Sequence, residues 1–199
     1  MNLVERAKNI LLTPSKEWEV IKSETSTVKD LIVKYAVPLA LIPAVAGLIG
    51  FSLFGFSYGF GSFTVPLDLG IQWAIVTYVL SLFGVYVIAF IMDLLAPNFN
   101  STKDMNASMK VVVYSFTASW VGGIFNIIPA LSLLGALAGI YSLVLLYQGM
   151  KIVKQVSQDK LLVYFITVII SAIIVYAITG WITTSLVFGS RLTPVLNPY

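Results

Sequence analysis

Five stretches of the chain stay apolar for about the length needed to cross a bilayer, and the charged residues fall between them. A spanning helix takes roughly 20 mostly apolar residues to cover a hydrocarbon core of about 30 Å. Tyr35–Phe54, Leu69–Leu95, Val111–Ile128, Leu131–Met150 and Leu161–Trp181 meet that requirement. The pattern predicts an all-α integral membrane bundle of five transmembrane helices over residues 31–190. A short amphipathic segment precedes it over 1–30, and a tail follows over 191–199.

Within the first thirty residues, Leu3, Val4, Ala7, Ile10 and Leu11 recur at helical spacing, opposite Glu5, Arg6, Lys8 and Asn9. This predicts a short amphipathic helix of the kind that lies in a membrane interface. Thr13-Pro14 reads as the cap and first turn of a second short helix carrying Trp18 and Ile21. Two destinations, not exclusive, are open to these apolar faces: the lipid interface, or the cytoplasmic ends of the protein's own spans. The charges at Glu5, Arg6 and Lys8 leave no secretory apolar core here, so the first apolar run is expected to act as an uncleaved insertion signal. Thr27-x-x-Asp30 and Ser101-x-x-Asp104 fit the helix-start pattern ahead of runs one and three, which places the start of the third helix near Thr102. Pro129 ends that helix, so runs three and four should form a tight hairpin bending on the outer side.

Composition agrees with lipid as the solvent. Hydrophobic residues make up 58% of the chain and charged residues 11%, against about 25% charged in soluble domains. A chain of 199 residues has too little interior to hide that much apolar surface from water. The net charge of +3 forms no nucleic-acid patch, because all twelve Lys and Arg except Arg191 lie before run one, between runs two and three, or between runs four and five. Alternation of that kind predicts a cytoplasmic N-terminus and an external, periplasmic C-terminus.

The chain has no cysteine and no histidine. Thiol nucleophiles, imidazole bases, disulfides and the usual zinc sets are therefore excluded, and no catalytic residue, cofactor or metal is expected. Gly55-Phe56-Ser57-Tyr58-Gly59 matches the G-x-S-x-G nucleophile pattern, but that motif needs a strand-turn-helix setting and a base. Asp93 is the acidic residue inside a predicted span, a functional candidate by its position. Counted from Asp68 it lies 25 residues on, about 37 Å along a helix. That depth puts it at the cytoplasmic interface, beside Lys34, Lys103 or Lys110. Mid-span polarity is limited to uncharged groups such as Thr77, Tyr78, Ser81, Thr117, Ser119 and Ser142, which ordinarily join helices to one another. Pro38 and Pro43 predict a kink in the first span. Ala36, Ala40 and Ala44, and then Gly135 and Gly139, form small-residue faces that let helices approach closely, within one bundle or across a homo-oligomer.

Tyr114-Ser115-x-x-x-x-Trp120, Gly123-Ile124-Phe125-Asn126-Ile127-Ile128-Pro129 and Tyr141-Ser142-Leu143-x-x-Leu146-Tyr147-x-Gly149 resemble the Yip family, the Ypt/Rab-GTPase-interacting membrane proteins. Val4-Glu5-Arg6-Ala7-Lys8 through Pro14-x-x-Glu17-Trp18 is similar to the small bacterial branch of that family. The resemblance implies five spans, a cytoplasmic N-terminus and an inner-membrane location. The eukaryotic members carry longer N-terminal regions and their Rab-binding motifs have no counterpart here, so a Rab partner is not implied. Trp18, Asp93, Lys110, Asn126 and Pro129 are the candidate interface or functional positions. The expected partners are the lipid bilayer and either a second copy or another membrane protein, with no nucleic acid. The expected function is non-enzymatic membrane organisation or partner binding. The alternative is a small transporter, channel or lipid-moving protein with an uncharged polar path, and a weaker third reading is an enzyme acting on lipid at the interface.

Overall fold

In hydrocarbon every backbone amide and carbonyl needs a partner within the chain, so apolar runs fold as helices. The computed structural model describes residues 2–58 and 61–196, with side chains left out at 56–63 and beyond 189. The Ser57 and Arg191 side chains, Gly59 and Tyr199 fall outside that description. Among the described residues, four helices are long and apolar enough to cross a membrane: Val28–Phe54, Leu67–Phe99, Pro129–Ile152 and Gln158–Gly189.

Two short helices come first, α1 (Leu3–Leu12) and α2 (Pro14–Ser23). Asn2 caps α1 by accepting from the amides of Val4 and Glu5. Pro14 opens α2, where its missing amide costs nothing. The Thr13 hydroxyl does not cap α2; it donates to the Asn9 carbonyl at 3.1 Å. Next comes α3 (Val28–Phe54). The Thr27 hydroxyl caps it, accepting from the Asp30 amide at 3.1 Å and donating to the Asp30 carboxylate at 2.6 Å. A π turn over Ile32–Ala36 lets the Val37 amide reach back to the Ile32 carbonyl just before Pro38. That extra residue gives the helix room for a proline ring that would crowd the preceding turn. Gly55, at φ 66°, ends the helix in a conformation that favours glycine, and a small antiparallel hairpin follows, β1 (Phe56–Tyr58) with β2 (Gly61–Phe63).

The long helix α4 (Leu67–Leu95) runs back and closes in a 3₁₀ turn over Ala96–Phe99. The third apolar run then departs from one uninterrupted helix. It is built as α5 (Met105–Ser115), α6 (Thr117–Gly122) and a 3₁₀ segment over Gly123–Ile127. The Ser115 and Thr117 hydroxyls donate back to the carbonyls of Val111 and Tyr114, at 2.6 and 2.7 Å, a pattern that bends helices. The Gly122-Gly123 pair adds little helix propensity beyond that point. The helix also starts later than the Ser101-x-x-Asp104 pattern predicts. Asp104 is the cap, accepting from Ala107 at 3.0 Å, while Ser101 donates to the Lys154 carbonyl at 2.8 Å.

A 3₁₀ turn from Pro129 leads into α7 (Ser132–Ile152), and α8 (Gln158–Leu196) completes the bundle. The broken third run is the centre of the molecule. Met109, Val111, Val112, Val113 and Tyr114 are buried there, with α3, α4 and α7 packed around them. The other long helices each turn a row of large apolar side chains outward, Ile75, Val79, Phe83 and Phe90 on α4 and Ile166, Ile170 and Ile173 on α8. α8 lies chiefly along α4 and meets α7 over a shorter length.

Candidate functional site

Charged side chains gather at one end of the bundle, where α2 ends, α5 begins and α7 ends. The N-terminal helices are fastened there by Arg6, which is 6% exposed. Its guanidinium bonds to the carboxylates of Glu17 and Glu24 and lies over the Tyr114 ring, 5.6 Å from the centroid. Burial pushes the Arg6 pKa down, but Glu24, Tyr114 and Glu17 outweigh it and the net shift is upward. Lys110 reaches across from α5 and donates to the carbonyls of Ile21 (3.0 Å) and Glu24. A cation there satisfies groups that the last turn of α2 leaves open. Burial holds the Lys110 pKa below its ordinary value.

Ile10, Trp18 and Ile21 are fully enclosed by this docking. Trp18 meets Tyr114 edge to face at 6.3 Å, and Tyr114 meets Tyr35 in the same way at 4.7 Å. Tyr35 and Thr117 share a hydrogen bond of 2.8 Å. Because the Thr117 hydroxyl donates to the Tyr114 carbonyl, Tyr35 is the donor in that pair. The α1–α2 hairpin penetrates well into the bundle. The Tyr141 hydroxyl donates to the Leu11 carbonyl at 2.8 Å, and Tyr141 lies 11 residues before the end of α7 at Ile152, about 16 Å along the helix. Of the two destinations for the amphipathic faces, the protein's own helices take Ile10, Trp18 and Ile21, while Val4, Leu12 and Val20 remain on the surface.

A second cluster joins two connections, α4–α5 and α7–α8. Asp93 accepts from the Asp104 amide at 2.7 Å and the Ser108 hydroxyl at 3.1 Å, and pairs with Lys154 at 3.5 Å. Its cation is therefore Lys154, in place of the expected Lys34, Lys103 or Lys110; the 93–104 turn folds back so that the α7–α8 connection lies beside it. Lys154 also donates to the Thr102 carbonyl at 2.7 Å. Burial lowers the Lys154 pKa, with Asp93 opposing the shift.

The small-residue faces lie at helix contacts inside the single chain. Ala36, Ala40 and Ala44 are buried on α3. A Cβ on Gly135 would lie 3.5 Å from the Gly122 carbonyl and 3.6 Å from the Asn126 side chain, and one on Gly139 would lie 4.0 Å from the Ser119 hydroxyl. The Asn126 carbonyl abuts Gly50, and Pro129 opens the turn into α7. Sequence reasoning did not single out Glu17, Glu24, Tyr35 or Lys154 as site residues. A glutamate eleven residues from Arg6 signals a pairing only once the turn at Thr13 is placed.

Two hollows open sideways along α7. One, of about 790 Å³, begins at Ser15, Glu19, Gln148 and Lys151. The other, of about 630 Å³, lies deeper, between α5–α6, α7 and α8, and its exposed walls are almost wholly apolar. Leu143 lines both. A third, smaller hollow of about 280 Å³ toward the far end carries Thr77, Ser81, Thr179, Thr183 and Thr184 and adjoins the second at Tyr176.

A sequence model of the Yip1 domain matches residues 8–189. Inner membrane protein YohC of Escherichia coli K12 is 24% identical over 151 residues, covering 74% of this chain and 77% of that protein. Its counterpart in Escherichia coli O6:H1 strain CFT073 matches to the same extent. No solved structure matches. With the domain pattern running from α1 nearly to the end of the last apolar helix, the chain belongs to the Yip1 domain family and resembles an inner membrane protein.

Proposed function

We propose that this protein is a non-enzymatic, five-span inner-membrane protein acting in membrane organisation or partner binding. Its lysine-rich end and N-terminus face the cytoplasm and its C-terminus lies outside. The observation that carries the reading is the docked α1–α2 hairpin. One face is fixed by Arg6, Trp18 and Lys110, and the other presents Val4, Leu12 and Val20 beside Lys8, Lys16 and Lys22, a surface suited to anionic lipid or an apolar partner. Support for a fifth crossing comes from the contacts of the broken third run. It starts beside Asp93, passes the middle of α3 where Gly123 meets Pro43, and ends where the Asn126 carbonyl meets Gly50, close to the end of α3 at Phe54. The absence of histidine and cysteine supports the non-enzymatic reading.

Reporter fusions after Asn100, Val156 and Tyr199 test the topology; a cytoplasmic reporter at Tyr199 overturns it. Deleting residues 1–26 should abolish function in a complementation assay while leaving an inserted bundle. Full function in the deleted chain would remove the hairpin as the working surface.

A second reading, a lipid-moving protein, is favoured by one observation. The three hollows adjoin at Leu143 and Tyr176, and the far one is lined by hydroxyls, with the buried Thr77 Oγ1 making no hydrogen bond. Flux of a fluorescent phospholipid between leaflets of proteoliposomes tests it directly.

A further inference from the structure

We infer that the cleft along α7 holds one phospholipid of the leaflet at the lysine-rich end, and that its headgroup carries an amine. This rests on the membrane-spanning reading above and adds a ligand to it. The mouth of the cleft offers both signs of charge. Glu19 on α2 and Lys151 on α7 are both exposed there, and neither is in an ion pair among the described residues. An ammonium donor answers the exposed carboxylate of Glu19, and a phosphate answers Lys151. A headgroup without a cation leaves Glu19 without a counter-charge.

The depth of the cleft fits an acyl chain. From Lys151 at the mouth to Gly139 in the deeper hollow is 12 residues of one helix, about 18 Å. That is close to half of a hydrocarbon core of about 30 Å. The inner walls are apolar and dry in character. Ser119 and Ser142 bond to each other at 2.8 Å, and Ser115 donates to the Val111 carbonyl, so each of these hydroxyls has a partner within the protein. The rim carries Ile140, Leu143 and Ile173, all exposed, so the opening faces lipid.

The test is native mass spectrometry of the full chain in mild detergent, with phosphatidylethanolamine, phosphatidylglycerol and phosphatidylcholine supplied at equal concentration. One phosphatidylethanolamine is expected to be retained in preference to the other two. Glu19→Gln should reduce that preference by about tenfold, the loss of one charge-assisted hydrogen bond. Leu143→Trp, which fills the junction of the hollows, should reduce retention of every lipid. Equal retention of all three lipids, retention led by phosphatidylglycerol, or no response to Glu19→Gln overturns the inference. Glu19 is on the surface, so its variant stays informative should Leu143→Trp fail to fold. The topology reporters are read separately, so a failed lipid site and a failed membrane reading give different results.

Discussion

The indole of Trp18 occupies the space that a side chain on Gly149 would need: a Cβ built there lies 2.8 Å from two atoms of the ring. Val111 closes the same spot at 3.1 Å. The N-terminal hairpin is seated on α7 because position 149 has no side chain, and Gly149 is the last residue of the Tyr141–Gly149 motif.

Replacing Gly149 with Ala should therefore unseat α2 without touching any charge. Overpacking of this kind costs about 1–3 kcal/mol. The expected signs are a lower melting temperature in detergent and a shift of Trp18 fluorescence to longer wavelength. An unchanged spectrum would show that the indole can move aside freely.

Arg6→Ala should cost more. It leaves Glu17, whose side chain is 10% exposed, without its cation. Removing one partner of a buried pair costs about 3–5 kcal/mol. Replacing both groups with apolar residues, Arg6→Met with Glu17→Leu, should recover most of the loss. Thermal unfolding measures the first effect, and trypsin cleavage at Lys8 and Lys16 reports release of the hairpin.

The Tyr35–Thr117 pair predicts an asymmetry. Thr117→Val strands a buried phenol donor and should cost about 1–3 kcal/mol, whereas Tyr35→Phe leaves the threonine hydroxyl still bonded to Tyr114 and should cost less. The double variant should be better than the sum of the singles, as a double-mutant cycle would read.

Lys154 gives a pH dependence with a definite sign. Its folded pKa is lowered below the ordinary lysine value of 10.5, so the folded state binds this proton less tightly than the unfolded chain. Stability should then rise with pH through the interval between the folded pKa and 10.5. In Lys154→Met that rise should be smaller. Melting temperatures from pH 7 to 11 check it, and parallel curves for the two proteins would refute the assignment.

Much of the architecture is legible in the apolar runs, since length and hydropathy are properties of a single segment. Thr27 capping α3 and Pro14 opening α2 are equally local. The third run is harder, because its bend depends on where the Ser115 and Thr117 hydroxyls turn and on the weak helix preference of Gly122-Gly123. The ion pairs are harder still. Asp93 finds Lys154 sixty-one residues away through two turns, and Arg6 finds Glu24 eighteen residues on through another. Spacing along the chain does not encode those meetings; three-dimensional closure does.

The enclosed position of the third run has a bearing on biogenesis. It carries Ser108, Lys110, Ser115, Thr117 and Ser119, a load of polar groups that neighbouring helices cover in the finished protein. Most of their partners come earlier in the chain or from the same helix: Ile21 and Glu24 for Lys110, Tyr35 for Thr117, Asp93 for Ser108 and Val111 for Ser115. A chain made from its N-terminus therefore supplies nearly all of these partners by the time the segment itself is complete, and among these groups the Ser119–Ser142 pair alone ties it to a helix still to come.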